Sequence, residues 1–213
     1  MRVALLGAPG SGKGTQSKMI ADSLQVPHIS TGDILRAAVR EETELGREAA
    51  PIMASGGLVP DDLMIGIIQE RLSKDDAVPG FVLDGFPRTV PQAEKLDAIL
   101  AGNGESSLKV LVLSVPDEAI VRRLGGRRSC ADCGTSYHND NSPPANDGVC
   151  DRCGGALVER KDDSEGAIRI RLEEFHKQTL PVVAHYRSTI GVVDVDGVGS
   201  VDEIFERIEE SLK

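Results

Sequence analysis

Residues 7–15 read GAPGSGKGT and directly continue the apolar run RVALLG at 2–7. A helical pattern over 15–24 follows. Strand, glycine-rich turn and helix together make a cradle for polyphosphate. The glycines let the backbone curl so that successive N–H groups point inward, the helix start contributes positive dipole, and Lys13 adds a full charge. The spacing fits the Walker A pattern at Gly7, Gly12 and Lys13 and departs from it at the next position, where Gly14 stands in place of Ser or Thr and Thr15 follows. A metal-facing hydroxyl directly after the lysine is therefore missing. The alternative is a glycine-rich turn without a ligand, and the lysine and the strand–loop–helix setting argue against it.

Outward from this turn, three further apolar runs read as buried strands: GFVLDG (80–85), LKVLVLSV (108–115) and GVVDVDG (191–197), with VPHIS (26–30) a weaker fifth candidate. Each is rich in Val and Leu or closed by Gly, Asp or Pro, as parallel strands are. Helical patterns lie between them. Over 61–72 a helix begins at Asp61-Asp62 after Pro60 and places Leu63, Met64, Ile67, Ile68 and Leu72 on one face. At the C-terminal end Ser200 and Glu203 form a capping-box pattern, and Val201, Ile204, Phe205, Ile208 and Leu212 line one face. Strand alternating with helix predicts an α/β fold, a P-loop doubly wound parallel sheet of about five strands flanked by helices. Two segments interrupt the alternation, one from about 30 to 59 and one from about 126 to 163.

The chain has 213 residues, 40% hydrophobic and 27% charged, with a net charge of −10. That length suits one main domain carrying inserts. The acidic balance disfavours a uniformly basic nucleic-acid surface, while a local cationic site stays open. MRVALLGAPG is too short and glycine-rich for a signal peptide. No apolar run approaches the ~20 residues of a membrane span. A reduced, cytoplasmic setting is expected.

Asp84 in FVLDG ends an apolar strand and is a candidate partner for Mg2+ of the Walker-B kind. Asp at a strand end is often only a turn residue, so the phosphate loop gives this reading its weight. All four cysteines fall within residues 130–153, where Cys130, Cys133, Cys150 and Cys153 give CxxC-x16-CxxC. This lies within the spacing of four-cysteine zinc sites, and four protein thiolates leave no open coordination position, so the site reads as structural. Two disulfides, or iron in place of zinc, are the competing readings. The histidines His28, His138, His176 and His185 are scattered and read as structural, with His138 a minor alternative zinc ligand. Arginines cluster in an otherwise acidic chain, among them Arg122, Arg123, Arg127, Arg128, Arg160, Arg169 and Arg171. Phosphoryl transfer uses such charge around equatorial oxygens, and guanidinium binds oxygens bidentately. Arg122, Arg128 and Arg169 are left as solvated surface residues.

GAPGSGKGTQ (7–16), STGDILRAAV (30–39), DGFPRTVPQA (84–93) and RKDD (160–163), in this order and at these distances, resemble the adenylate kinases nearly end to end. The glycine after the loop lysine is that family's form of the motif, and the cysteines resemble its zinc-bearing long-lid bacterial subclass. The resemblance implies reversible transfer of a phosphoryl group from MgATP to AMP, giving two ADP. It implies a monomer that binds ATP, AMP and ADP and neither nucleic acid nor membrane, with Mg2+ accompanying ATP and a structural Zn2+. It divides the chain into a core (1–29, 60–125 and 164–213), an AMP-binding insert (30–59) and a zinc-bearing lid (126–163).

Residue roles follow from the resemblance. Gly10, Ser11, Gly12, Lys13, Gly14 and Thr15 would bind ATP phosphates, with Arg127, Ser136, Tyr137 and Gly199 further ATP contacts. Thr31, Arg36, Gly57, Leu58, Val59, Gly85, Phe86, Pro87, Arg88 and Gln92 would hold AMP, Arg88 on its phosphate and Gln92 on its adenine edge. Arg123, Arg160 and Arg171 would surround the phosphates, Arg160 and Arg171 also reaching AMP, with Asp162 and Asp163 the lid carboxylates. Asp84 would meet Mg2+ through water. No general base is needed, because the accepting phosphate oxygen is already ionised. Another nucleoside monophosphate kinase, or one taking GTP as donor, is the alternative within this class. A nucleotide-binding regulator using its zinc module on nucleic acid is disfavoured by the −10 charge, and a GTPase switch by the lack of an Asn-Lys-x-Asp motif.

Overall fold

The computed structural model describes residues 1–102 and 108–213. Residues 103–107, inside the core range expected at 60–125, lie outside the described residues. The sheet is built on β1 (Arg2–Gly7), whose Val3, Ala4, Leu5 and Leu6 are buried because neighbours pair with it on both edges and helices cover both faces. β3 (Phe81–Asp84) pairs on one side and β4 (Leu108–Ser114) on the other, both parallel. β2 (His28–Ser30) extends the sheet beyond β3, and β8 (Val193–Asp196) beyond β4, giving the order β2-β3-β1-β4-β8. The five strands are those read from the sequence: β1 matches its run over 2–7, and the other four are one to three residues shorter than theirs.

The crossover from β1 runs to β2 and the crossover from its neighbour β3 runs the opposite way to β4, so the C-terminal ends of β1 and β3 form the topological switch point where such sheets bind ligands. The phosphate loop stands there and leads into α1 (Lys13–Leu24), which starts two residues ahead of the expected helix. α4 (Asp61–Leu72) buries Met64, Ile68 and Leu72, with Leu63 and Ile67 partly buried against the same core. α5 (Val90–Gly102) follows β3 and α6 (Asp117–Gly125) follows β4. α9 (Val201–Leu212) carries the expected capping box and buries Ile204 and Ile208. Val201, expected on that face, is the first residue of the helix and is 40% exposed, lying outside the turn that packs on the sheet.

The segment after β2 forms α2 (Thr31–Arg40) and α3 (Glu44–Ala54). The cysteine-bearing segment forms a separate antiparallel sheet of β5 (Arg127–Cys130), β6 (Ser136–His138) and β7 (Leu157–Val158), ordered β6-β5-β7. It is followed by α7 (Glu165–Glu174), a π-helical turn (Phe175–Thr179) and α8 (Leu180–Thr189). Pro181 accounts for that turn. It has no N–H for the carbonyl four residues back, and its ring would clash there, so the helix widens just ahead of it. Among the described residues no helix is long and apolar enough to cross a membrane.

Candidate active site

The phosphate loop has the backbone its composition requires. Gly10 and Gly12 have φ of +79° and +101°, and a Cβ on Gly10 would lie 2.7 Å from Leu124 Cγ. The loop closes through Ser11 N–H to Ala8 O at 3.1 Å, and Gly12 caps α1, its carbonyl accepting from Thr15 N and Gln16 N. Lys13 Nζ donates to Ala8 O at 2.7 Å, one of three available N–H bonds. Burial pulls Lys13 down to about 7, against the opposing pull of Asp84, while Arg88, Arg171 and Arg127 make its charge costlier still. The Cβ absent at Gly14 would stand 3.4 Å from Asp84 Oδ2, so the glycine that breaks the general motif faces the acidic strand end.

Asp84 lies beside this lysine at the end of β3. Burial pushes its carboxyl up, but His28, Lys13 and Arg88 outweigh that and hold it below the usual carboxylate range. His28 Nε2 is 3.6 Å from Asp84 Oδ2. Arg123 ties the loop to the chain beyond β8, donating to Ser11 O at 3.1 Å and Gly197 O at 3.0 Å. Gly199 lies two residues further on, against Glu203 and Arg207 of α9.

A pocket opens next to the loop. Thr31, Arg36, Gly57, Leu58, Val59, Gly85, Arg88, Gln92, Asp162 and Arg171 line it, bringing most of the expected acceptor-site residues together with one of the carboxylates. Thr31 Oγ1 donates to Gly85 O at 2.9 Å, and Arg88 Nε donates to the same carbonyl at 2.8 Å. Gln92 is 2% exposed and both ends of its amide are engaged: Oε1 accepts from Arg88 N at 2.8 Å, and Nε2 donates to Asp61 Oδ1 at 2.7 Å. One N–H and one lone pair remain for a ligand. Phe86 is different. Its ring is buried in the main core, so only its backbone is available to the pocket, and Pro87 joins it through a cis bond.

The remaining arginines are held by the cysteine-bearing segment and α7. Asp163 has a side chain with no exposure and accepts from Arg127 Nε at 2.6 Å and Arg171 Nη1 at 2.9 Å. Arg171 also meets Asp162 Oδ2 at 3.0 Å. Arg160 donates to Ser129 Oγ at 2.6 Å and Ser136 Oγ at 2.7 Å. Burial lowers its pKa to about 9, and Arg127 and Arg36 add repulsion, so the Arg160 and Arg36 charges are within reach of each other. Arg88 is lowered to about 10 by burial and by Arg171. Cations packed this closely call for a polyanion between them. Arg169 pairs with Glu165 on the surface, and Arg122 is exposed.

The cysteines converge. Their four Sγ atoms lie within 4.8 Å of one another, with Cys130–Cys153 at 3.4 Å and Cys133–Cys150 at 3.6 Å. These distances are well beyond the ~2.05 Å of an S–S bond, so the geometry favours four thiolate ligands over two disulfides. Sulfurs at about 2.3 Å from one tetrahedral zinc would stand roughly 3.8 Å apart, so the arrangement fits that ion. Each CxxC pair closes the same way, Gly134 N donating to Cys130 O at 3.1 Å and Gly154 N to Cys150 O at 2.8 Å. A hydrogen bond from Thr135 pulls Cys133 down to about 6 and one from Tyr137 lowers Cys150, while Cys153, despite a backbone bond from Gly155, is pushed up to about 12 by the sulfurs of Cys133 and Cys130, so the four thiols share their protons unevenly. Tyr137 is thus joined to the cysteine site by its side chain, its hydroxyl 3.4 Å from Cys150 Sγ. His138 lies outside the four-sulfur cluster: its Nδ1 accepts from Asp140 N and Asn141 N, and its Nε2 edge faces Gly126.

Sequence reasoning missed Asp61, Thr89 and Thr179. Asp61 reads as a helix start, yet Oδ1 also accepts from Thr89 Oγ1 at 3.0 Å. Thr179 donates to Arg88 O at 2.9 Å from more than ninety residues away, and Pro181 is the one local sign of the bend that presents it.

The adenylate kinase family profile matches residues 5–190. Curated relatives carrying that name are similar over the full chain. One from Methanothrix thermoacetophila is 52% identical and one from Clostridium botulinum (strain Loch Maree / Type A3) 50% identical, each over 212 residues covering 100% of this chain and 98% of the relative. One from Geobacter sp. (strain M21) is 51% identical over 204 residues, 96% of this chain and 95% of the relative. With the phosphate loop, the arginine-lined pocket and the parallel sheet in place, the chain belongs to the adenylate kinase family.

Proposed function

We propose that the protein transfers the terminal phosphoryl group of MgATP reversibly to AMP, giving two ADP. One observation carries this reading above all: a phosphate loop with Lys13 stands beside a second pocket, and Arg88, Arg127 and Arg171 all bear on the Lys13 charge between them. Two phosphate-bearing ligands meeting head to head suit that layout.

In this reading ATP lies on Gly10–Thr15, with Arg123, Arg127 and the lid residues Ser136 and Tyr137 around it and Gly199 at its far side. AMP lies in the pocket, its phosphate on Arg88, Arg36 and Arg171, its base toward Gln92 and Gly57–Val59. An oxygen of the AMP phosphate attacks the γ-phosphorus, the bond from that phosphorus to the β–γ bridging oxygen breaks, and ADP leaves as a second ADP forms. Lys13, Arg88, Arg123, Arg160 and Arg171 offset the charge on the equatorial oxygens. Asp162 and Asp163 orient the arginines. Asp84 would hold, through water, the Mg2+ bound with ATP, an ion that would offset the charge of its phosphates. The buried, lowered carboxyl of Asp84 supports that role.

We read residues 1–29, 60–125 and 164–213 as the core, 30–59 as the AMP-binding insert, and 126–163 as a lid whose closure excludes water from the γ-phosphate. The separate lid sheet supports the division. Cys130, Cys133, Cys150 and Cys153 would hold a structural Zn2+ that staples a lid too small to bury much core. We read the protein as a monomer, and four cysteines gathered as metal ligands suit a reduced, cytoplasmic setting.

A coupled assay with MgATP and each of AMP, GMP, CMP and UMP, with GTP as a second donor, tests the reading. ADP formation with AMP far above the others is expected. Turnover with another acceptor would move the specificity, and no transfer to any acceptor would end the proposal.

A further inference from the structure

The π-helical turn at Phe175–Thr179 serves no purpose in the mechanism above, yet it interrupts the helical run that carries Arg171. Its last residue, Thr179, is 6% exposed, and Oγ1 donates to the backbone carbonyl of Arg88 at 2.9 Å. The other side of the same residue is also held. Arg88 N–H donates to Gln92 Oε1 at 2.8 Å, Gln92 Nε2 donates to Asp61 Oδ1 at 2.7 Å, and Thr89 Oγ1 donates to the same Asp61 oxygen at 3.0 Å. Both polar groups of the Arg88 main chain are therefore fixed by side chains from other positions. The Arg88 side chain then needs only the Nε bond to Gly85 O to set the base of its guanidinium.

We infer that Thr179 is a positioning residue for Arg88. Through the carbonyl it bonds, it sets where the guanidinium stands in the pocket that Arg36 and Arg171 also line. This rests on the reading of Arg88 as the group that grips the acceptor phosphate. The widened turn is what makes the bond possible, since it offsets Thr179 from the register an unbroken α-helix would impose. The same turn links the helix bearing Arg171 to the backbone bearing Arg88, so two of the cations around the acceptor share one rigid support.

The test is titration of AMP and of MgATP, separately, into wild type, Thr179→Val and Thr179→Ser, with the first substitution repeated in an Arg88→Ala background. Val keeps the shape and removes the hydroxyl, leaving a buried carbonyl unpaired. AMP affinity should fall about tenfold, with MgATP affinity unchanged to within about twofold. Thr179→Ser should restore AMP binding, and in the Arg88→Ala background Thr179→Val should add nothing. The inference is overturned if AMP affinity holds in Thr179→Val, if both nucleotides weaken alike, or if the loss persists without Arg88. Arg88→Ala alone separates the two claims. If it leaves AMP affinity intact, the reading of Arg88 falls and this inference with it. If it weakens AMP while Thr179→Val does not, this inference alone falls.

Discussion

Replacing Gly85 by Ala separates the stability of the fold from the geometry of the acceptor pocket. Gly85 has φ of +75°, and a Cβ there would lie 3.0 Å from Arg88 Nη2 and 3.2 Å from Thr31 Oγ1. The left-handed backbone costs an L-residue about 1–2 kcal/mol. For a chain of this size that lowers Tm by roughly 2–8 °C. The contacts add a different cost. The guanidinium has to move by a few tenths of an ångström, away from the position set by its 2.8 Å bond to Gly85 O. Spoiling a charged hydrogen bond is worth about 1.5–3 kcal/mol, which becomes a fall of about ten- to a hundredfold in kcat/KM for AMP. A thermal melt and steady-state kinetics at fixed saturating MgATP, well below the melting range, read the two effects apart. A lowered Tm with unchanged kcat/KM for AMP would refute the reasoning, because Arg88 would then tolerate displacement from Gly85.

Three further outcomes are expected. Lys13 sits near 7 when folded against its ordinary 10.5, so between those values the unfolded chain holds a proton that the folded one has released. Stability of the nucleotide-free protein should therefore rise with pH across that window, while triphosphate affinity, which needs the charge restored, should fall by up to ~1 log unit per pH unit above about 7; calorimetric titration at several pH values checks both, and a flat profile contradicts them. Asp163→Asn leaves Arg127 and Arg171 without their shared buried carboxylate and should cost about 3 kcal/mol of stability along with most of kcat, so a melt within ~1 °C of wild type would show the network to be dispensable. Cys130→Ser should lower bound zinc, measured by elemental analysis, and lower Tm more than it lowers the catalytic rate at low temperature; loss of catalysis from a lid that stays folded would mean the site is more than structural.

The parts legible in the sequence are those whose chemistry is local. The phosphate loop needs its glycines and lysine side by side, and each CxxC pair spans one turn, so both could be read from spacing. The strands could be read because a parallel sheet covered on both faces demands unbroken apolar runs such as LKVLVLS at 108–114. Contacts between distant segments were not legible. Nothing near Asp61 says that its carboxylate gathers Thr89 and Gln92, and nothing near Thr179 points to Arg88. Phe86 stands within a nucleotide-binding stretch, yet its ring fills the core, because a strand end next to the sheet has an inward side as well as a ligand side. Arg127 and Arg171 could be counted as charges, but their shared use of Asp163 depends on how β5 and α7 meet.

The central claim is that the Lys13 side and the Arg88 side are halves of one site. Titration with two adenosines joined through a polyphosphate bridge tests it most directly. The account predicts one analogue per chain, bound more tightly than ATP or AMP alone, displaced by either nucleotide and weakened by Lys13→Ala and by Arg88→Ala. Two analogues per chain, or an affinity no better than that of a single nucleotide, would contradict it.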